Sequence, residues 1–323
     1  MNTHPIQIAT AGEALFDLVT QANGQLLPCA GGSVYNLTRA LGRQSQVVGY
    51  LNPFSADRFG QQLKQQLQND GAILLSPNPI AEVTSLAVIA VDIHGQPNYA
   101  FYRDGVADRA VNAQGLIDQC AALPSLSMVV TGCLALAPED HDKYIPWLQA
   151  SKKSGLTVVV DANLRPAALA DAAAYRRNVH EALAFADIIK ASDEDLAFLF
   201  NSQDPAESLA RKLLATNTAT LIALTQGAAG ATLLHRDGRR WHAVDTAAIT
   251  IKDTVGAGDC FLAGLLTKTI ENSKTKGSDP IYFSNALVYG VACAGFCVSR
   301  VGCDPPTAAQ AADWVKQGTI RVS

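Results

Sequence analysis

Apolar runs of strand length alternate with amphipathic stretches over most of this chain, and that alternation limits the fold more than any other feature. Residues 6–11, 46–51, 127–131, 157–161, 188–190 and 220–225 read as strands. Helix patterns fall between or after them at 34–43, 57–69, 113–122, 139–153, 172–186, 193–201 and 206–216. Strands separated by helices imply βαβ units and an α/β fold with a mostly parallel sheet. The strands are nearly continuous hydrophobics, as a sheet with helices on both faces requires. The last quarter reads as three helices, 259–271, 280–299 and 307–316, with a polar connection at 272–279.

Two places break the alternation. Residues 15–28 and 83–103 hold strand-like pieces with no helix between them, and the second turns at His94-Gly95-Gln96-Pro97. They read as a small β-hairpin lid outside the main sheet, spanning about 15–28 and 83–108. A lid of this kind would exclude water from a site beneath it. With 323 residues and 48% hydrophobic content the chain has ample material for one large core, and it reads as a single domain over 1–323. A net charge of −4 without any basic run argues against nucleic acid and anionic membrane as partners. The apolar stretches at 86–91 and 286–298 are too short or too broken to span a bilayer. Seven cysteines without a C-x-x-C pair read as free thiols, and the expected location is cytoplasmic.

The segment Asp253-Thr254-Val255-Gly256-Ala257-Gly258-Asp259 carries the chemistry. It suits a loop entering a helix, with Asp259 in the first turn. Unpaired N–H groups of Gly256, Ala257 and Gly258 would there attract a phosphoryl group. An ordinary helix start needs one acid, whereas two flank these glycines. Earlier in the chain, Gly31-Gly32-Ser33-Val34-Tyr35-Asn36 places Gly31, Gly32 and Asn36 at a strand-to-helix turn. Asp17 follows the first strand, where α/β folds bind ligands. Arg103, after Phe101-Tyr102, and Arg165, in Asp161-Ala162-Asn163-Leu164-Arg165, supply fixed forks of donors. Thr225-Gln226-Gly227-Ala228-Ala229-Gly230 joins two strands, so it is no dinucleotide fingerprint. A phosphate-binding G-x-x-x-x-G-K-[ST] loop is absent from the sequence.

These segments resemble, in order along the chain, the signatures of the ribokinase-like (phosphofructokinase-B type) carbohydrate kinases, and most closely those of fructokinases. The D-T-x-G-A-G-D signature matches at all seven positions, 253–259. G-G-x-x-x-N matches at Gly31, Gly32 and Asn36, and T-x-G-x-x-G at Thr225, Gly227 and Gly230. The resemblance implies Asp259 as catalytic base, with Gly256, Ala257 and Gly258 as anion cradle. It implies Asp17, Gly31, Gly32, Asn36, Tyr102, Arg103, Asn163 and Arg165 as sugar contacts. Lys190, at a strand end, with Ser192, Thr225, Gly227, Gly230 and Asn285, would hold the nucleotide. ATP and Mg²⁺ are the implied cofactors, K⁺ near Asp253 is left open, and the lid implies a homodimer.

One departure concerns the metal. Many family members carry N-x-x-E where this chain reads Ser192-Asp193-Glu194-Asp195, although fructokinase-like members often have Ser at the first position, and the shorter Asp195 puts direct Mg²⁺ ligation in doubt. The reaction expected is phosphorylation of a sugar primary hydroxyl. Asp259 at a helix N-terminus is expected to have a lowered pKa and to accept the proton late in transfer. A 2-keto-3-deoxygluconate kinase, a nucleoside or aminoimidazole riboside kinase, and a non-catalytic sugar-binding or regulatory protein on the same fold remain the alternatives.

Overall fold

The computed structural model describes residues 5–21, 23–91, 97–166, 169, 171–273 and 280–323. The turn expected at 94–97 and the connection expected at 272–279 lie largely outside them. Ten strands form the large sheet. From the N-terminal half these are β1 (Ile8–Thr10), β4 (Val48–Tyr50), β5 (Ile73–Leu74), β8 (Met128–Gly132) and β9 (Thr157–Asp161). From the C-terminal half come β10 (Ile188–Ser192), β11 (Leu221–Thr225), β12 (Ala231–His235), β13 (Arg240–Asp245) and β14 (Ile320–Val322). Their order is β14-β13-β12-β11-β10-β9-β8-β1-β4-β5. Pairing is parallel from β11 to β5 and antiparallel from β11 to β14.

Side chains alternate across this sheet, and each face has its own core. Ile8, Val48, Val130, Val159 and Ala223 meet α1 (Ser33–Arg43), α2 (Arg58–Asn69), α8 (Ala257–Ser273), α9 (Pro280–Val298) and α10 (Ala308–Lys316). Ala9, Val129, Val158, Val160 and Ile222 meet α3 (Ala113–Ala121), α4 (His141–Lys153), α5 (Ala172–Ala184), α6 (Asp193–Phe200) and α7 (Ala206–Thr216). The expected α/β fold with helices on both faces is the one found.

The second sheet is larger than the expected hairpin. The hairpins β2 (Leu15–Thr20)–β3 (Leu26–Gly31) and β6 (Ser85–Val91)–β7 (Pro97–Tyr102) join through a parallel β2–β6 seam into four strands. Lys190, expected at a strand end, sits in the middle of β10, beside Asp161 of β9 in register.

Candidate active site

The parallel strands deliver their carboxyl ends to one edge of the sheet, where α/β folds place ligands. Asp259 stands in the first turn of α8 and is 4% exposed. Ser33, at the first position of α1, donates from Oγ to Asp259 Oδ1 at 2.7 Å. Asn163 Nδ2 in turn donates to Ser33 Oγ at 2.8 Å. Behind them the Lys190 ammonium pairs with Asp161 Oδ1 at 2.8 Å, with both side chains buried. A Cβ added to Gly258 would fall 3.1 Å from Lys190 Nζ. Gly258 thus lets the backbone of the first turn lie against a buried cation.

Burial acts on the acids in the direction opposite to the helix end. It pushes the Asp259 pKa up to about 6, against the pull of Lys190 and the Ser33 hydrogen bond. The lowered value expected for Asp259 is thereby reversed: loss of hydration outweighs the helix N-terminus. Asp161 is likewise pushed up to about 6 by burial, despite Lys190.

The approach to α8 is set by its loop. Gly256 has φ +78°, and a Cβ there would fall 2.2 Å from Cys303 Sγ. Asp253 accepts from Val255 N at 3.0 Å and Gly302 N at 2.9 Å, so each of its oxygens already holds the backbone. The Ala257 N–H, expected in the anion cradle, donates to the Thr254 carbonyl at 3.2 Å.

On the other side of Asp259, the turn after β1 meets the start of α1. Ser33 N donates to Glu13 Oε1 at 2.8 Å, the Cys133 thiol interacts with the same carboxylate, and Asn36 Oδ1 is buried without a hydrogen-bond partner among the described residues. Burial also raises the Glu13 pKa. A Cβ on Gly31 would fall 2.3 Å from Asp17 Oδ2, so the missing side chain is what admits this carboxylate. Burial pushes Asp17 up to about 6, and Arg165 draws it back. Arg165 Nη1 donates to Asn163 Oδ1 and Leu164 O, each at 2.9 Å, beside an Asn163 in the left-handed region at φ +34°.

A cavity of about 300 Å³ opens beside this floor, lined by Asn163, Arg165, Lys190, Ser192, Thr225 and Gly258 together with Glu194 and Asp195. Asp195 is committed to structure: its oxygens accept from Ser192 N at 2.8 Å and Leu164 N at 2.7 Å. A larger cavity of about 490 Å³ near Pro53, Leu75 and Leu116 contains none of these groups. Gly227 and Gly230, both at positive φ, close the β11–β12 turn, and a Cβ on Gly230 would fall 2.1 Å from the Ala243 carbonyl.

Three further expected residues are not among those lining this cavity. Arg103 turns inward to Asp108 at 3.5 Å and Asp140 at 3.8 Å. Tyr102 is 61% exposed at the end of β7, and Asn285 is exposed on α9. Sequence reasoning gave no role to Ser33, Glu13 or the Asp161 pairing, since their contacts join segments far apart in the chain.

A buried carboxylate at a helix N-terminus, close to a buried cation and a cavity, is an arrangement that suits proton acceptance beside an anion. The chain belongs to the pfkB family of carbohydrate kinases, whose model matches residues 9–310. It is similar to the fructokinase of Rhizobium leguminosarum bv. trifolii, 31% identical over 277 residues, which cover 83% of this chain and 82% of that protein. The fructokinase of Klebsiella pneumoniae is 32% identical over 261 residues, covering 80% and 83%. Among solved structures, fructokinase with bound ATP from Xylella fastidiosa shares the fold with a TM-score of 0.81 at 22% identity, covering 97% of this chain and 98% of that one. Aminoimidazole riboside kinase from Salmonella enterica, complexed with aminoimidazole riboside and an ATP analog, has a TM-score of 0.79 at 22% identity, covering 96% and 99%.

Proposed function

We propose that this kinase transfers the γ-phosphoryl group of ATP to a primary hydroxyl of a sugar, with fructose as the acceptor. The observation that carries this reading is the buried Asp259 held by Ser33 at the start of α8. In the reaction, Asp259 Oδ2 accepts the hydroxyl proton as the oxygen attacks phosphorus. With its pKa pushed up to about 6 it is a stronger base than an exposed aspartate, yet ionised at neutral pH. The N–H groups of Gly256 and Gly258, neither of which carries a side chain, would stabilise charge on the phosphoryl oxygens. Lys190, Ser192, Thr225, Gly227, Gly230 and Asn285 take the nucleotide side. Asp17, Gly31, Gly32, Asn36, Asn163 and Arg165 take the sugar, whose hydroxyls would donate to Asp17 and to the unpartnered Asn36 Oδ1.

Mg²⁺ supplies charge neutralisation on the phosphates. With Asp195 tied to backbone, Glu194 at the cavity is the carboxylate that fits it. K⁺ at Asp253 has less support, since both carboxylate oxygens already hold N–H groups. Fructose is favoured over 2-keto-3-deoxygluconate because Arg103, suited to a substrate carboxylate, is engaged with Asp108 and Asp140. The four-stranded sheet would act as a lid, and exposed Leu26, Leu27, Val83 and Tyr102 support pairing of two such sheets in a dimer. Seven free cysteines support a reducing, cytoplasmic setting.

The test is ADP release with fructose, 2-keto-3-deoxygluconate, ribose, aminoimidazole riboside and adenosine. Fructose should give the highest kcat/KM and a phosphomonoester on a primary carbon. A higher kcat/KM with any other acceptor would replace the substrate, and no turnover with any of them would end the reading.

A further inference from the structure

Three thiols that the phosphoryl-transfer chemistry does not use converge beside it. Cys260 lies in the first turns of α8, Cys297 near the end of α9, and Cys303 in the loop that follows. Their sulfurs all lie within 4.8 Å of one another. Cys260 and Cys297 are buried, and Cys303 is partly exposed as a residue. All seven cysteines are free, as the sequence led one to expect.

The cluster is held in place from several sides. The Cys303 carbonyl accepts from Arg39 Nη1 at 3.0 Å, and its neighbour Gly302 donates to Asp253. It also touches the anion cradle. The Cys297 thiol donates to the Val255 carbonyl at 3.5 Å, and Cys303 Sγ occupies the space that a Gly256 Cβ would need.

All three donors are soft, and among the described residues no carboxylate or imidazole joins the group. Such a set selects thiophilic d¹⁰ cations, which impose no geometry of their own. A trigonal ion with metal–sulfur bonds of about 2.3 Å spaces its sulfurs by about 4 Å, so the donors need move by less than about 1 Å.

We propose that Cys260, Cys297 and Cys303 form a three-sulfur site for a thiophilic d¹⁰ cation, Cu(I) or Zn(II), and that its occupancy inhibits phosphoryl transfer. On binding, the three S–H protons pass to solvent, three metal–sulfur bonds form, and no electron moves. The positive end of α8 offsets part of the added negative charge. Cys297 then no longer donates to Val255, and the segment leading into Gly256 shifts. Only the inhibitory half rests on the kinase reading.

The experiment titrates the metal-free, reduced full chain with Zn(II) and, separately, with Cu(I) under anaerobic conditions, each against a chromophoric chelator. One equivalent of at least one ion should bind per chain, with three sulfur neighbours in X-ray absorption. Cys297→Ser and the partly exposed Cys303→Ser should each weaken binding at least 100-fold, while Cys120→Ser should not. Loss of the one-per-chain site for both ions, or wild-type binding in both cluster variants, overturns the site. Binding that leaves kcat unchanged overturns the inhibition. A chain that binds metal yet never turns over sugar counts against the kinase reading alone.

Discussion

Ser33 Oγ donates to Asp259 Oδ1 at 2.7 Å, tying the first residue of α1 to the first turn of α8 across 226 positions of chain. This bond stabilises the ionised carboxylate against the burial that raises its pKa. Asp259 works as a base only when deprotonated, so kcat/KM should rise with pH through about 6 and level off above. In Ser33→Ala the donor is lost, the pKa climbs further, and the acidic limb should move to higher pH. A profile from about pH 5 to 8 checks it; an unmoved limb would mean another group controls the rate.

Asp259→Asn should lower kcat by about 10³-fold or more, roughly 4 kcal/mol of barrier, while sugar binding measured by calorimetry survives. The same change should stabilise the ligand-free protein at neutral pH. A carboxyl whose folded pKa is raised from 3.8 to about 6 favours the folded state below pH 3.8 and loses that contribution as pH rises through 6. The neutral amide escapes the loss, so denaturant unfolding should show a gain of about 3 kcal/mol at pH 7 and little at pH 4.

Lys190→Met should cost about 3–5 kcal/mol in denaturant unfolding, because it leaves Asp161 buried without its cation. Adding Asp161→Asn should recover much of that stability but not the KM for ATP. Recovery of both would remove Lys190 from the nucleotide site.

Gly256→Ala meets two obstacles, a positive φ of +78° and a Cβ 2.2 Å from Cys303 Sγ. It should lower stability by at least about 2 kcal/mol and raise the KM for ATP. Gly256→Ala with Cys303→Ala relieves the contact but not the backbone, so thermal unfolding should recover only in part.

The parallel strands and their helices were legible because each is apolar at one period over a full element. The strands that escaped are of another kind. β5 and β14 are two and three residues long, and β13 is a half-exposed antiparallel strand in which only Trp241 and Ala243 are buried. Lys190 resembled a strand end because a lone cation in an apolar run looks like a boundary; its neutralising Asp161 comes from the adjacent strand. The glycine motifs located the loops of the site, but the Ser33–Asp259 contact and the inward turn of Arg103 depend on distances between elements that no local pattern records.

The parallel seam of the smaller sheet bears on how the molecule comes to be. Each hairpin can form from its own stretch of chain, but β2 and β6 are separated by α1, β4 and α2. Closing such a loop before those elements dock carries an entropic cost that few contacts offset. Asp17 lies on that seam, beside Ala87. Asp17 sits where the two hairpins meet, so its position depends on both of them and not on the larger sheet alone.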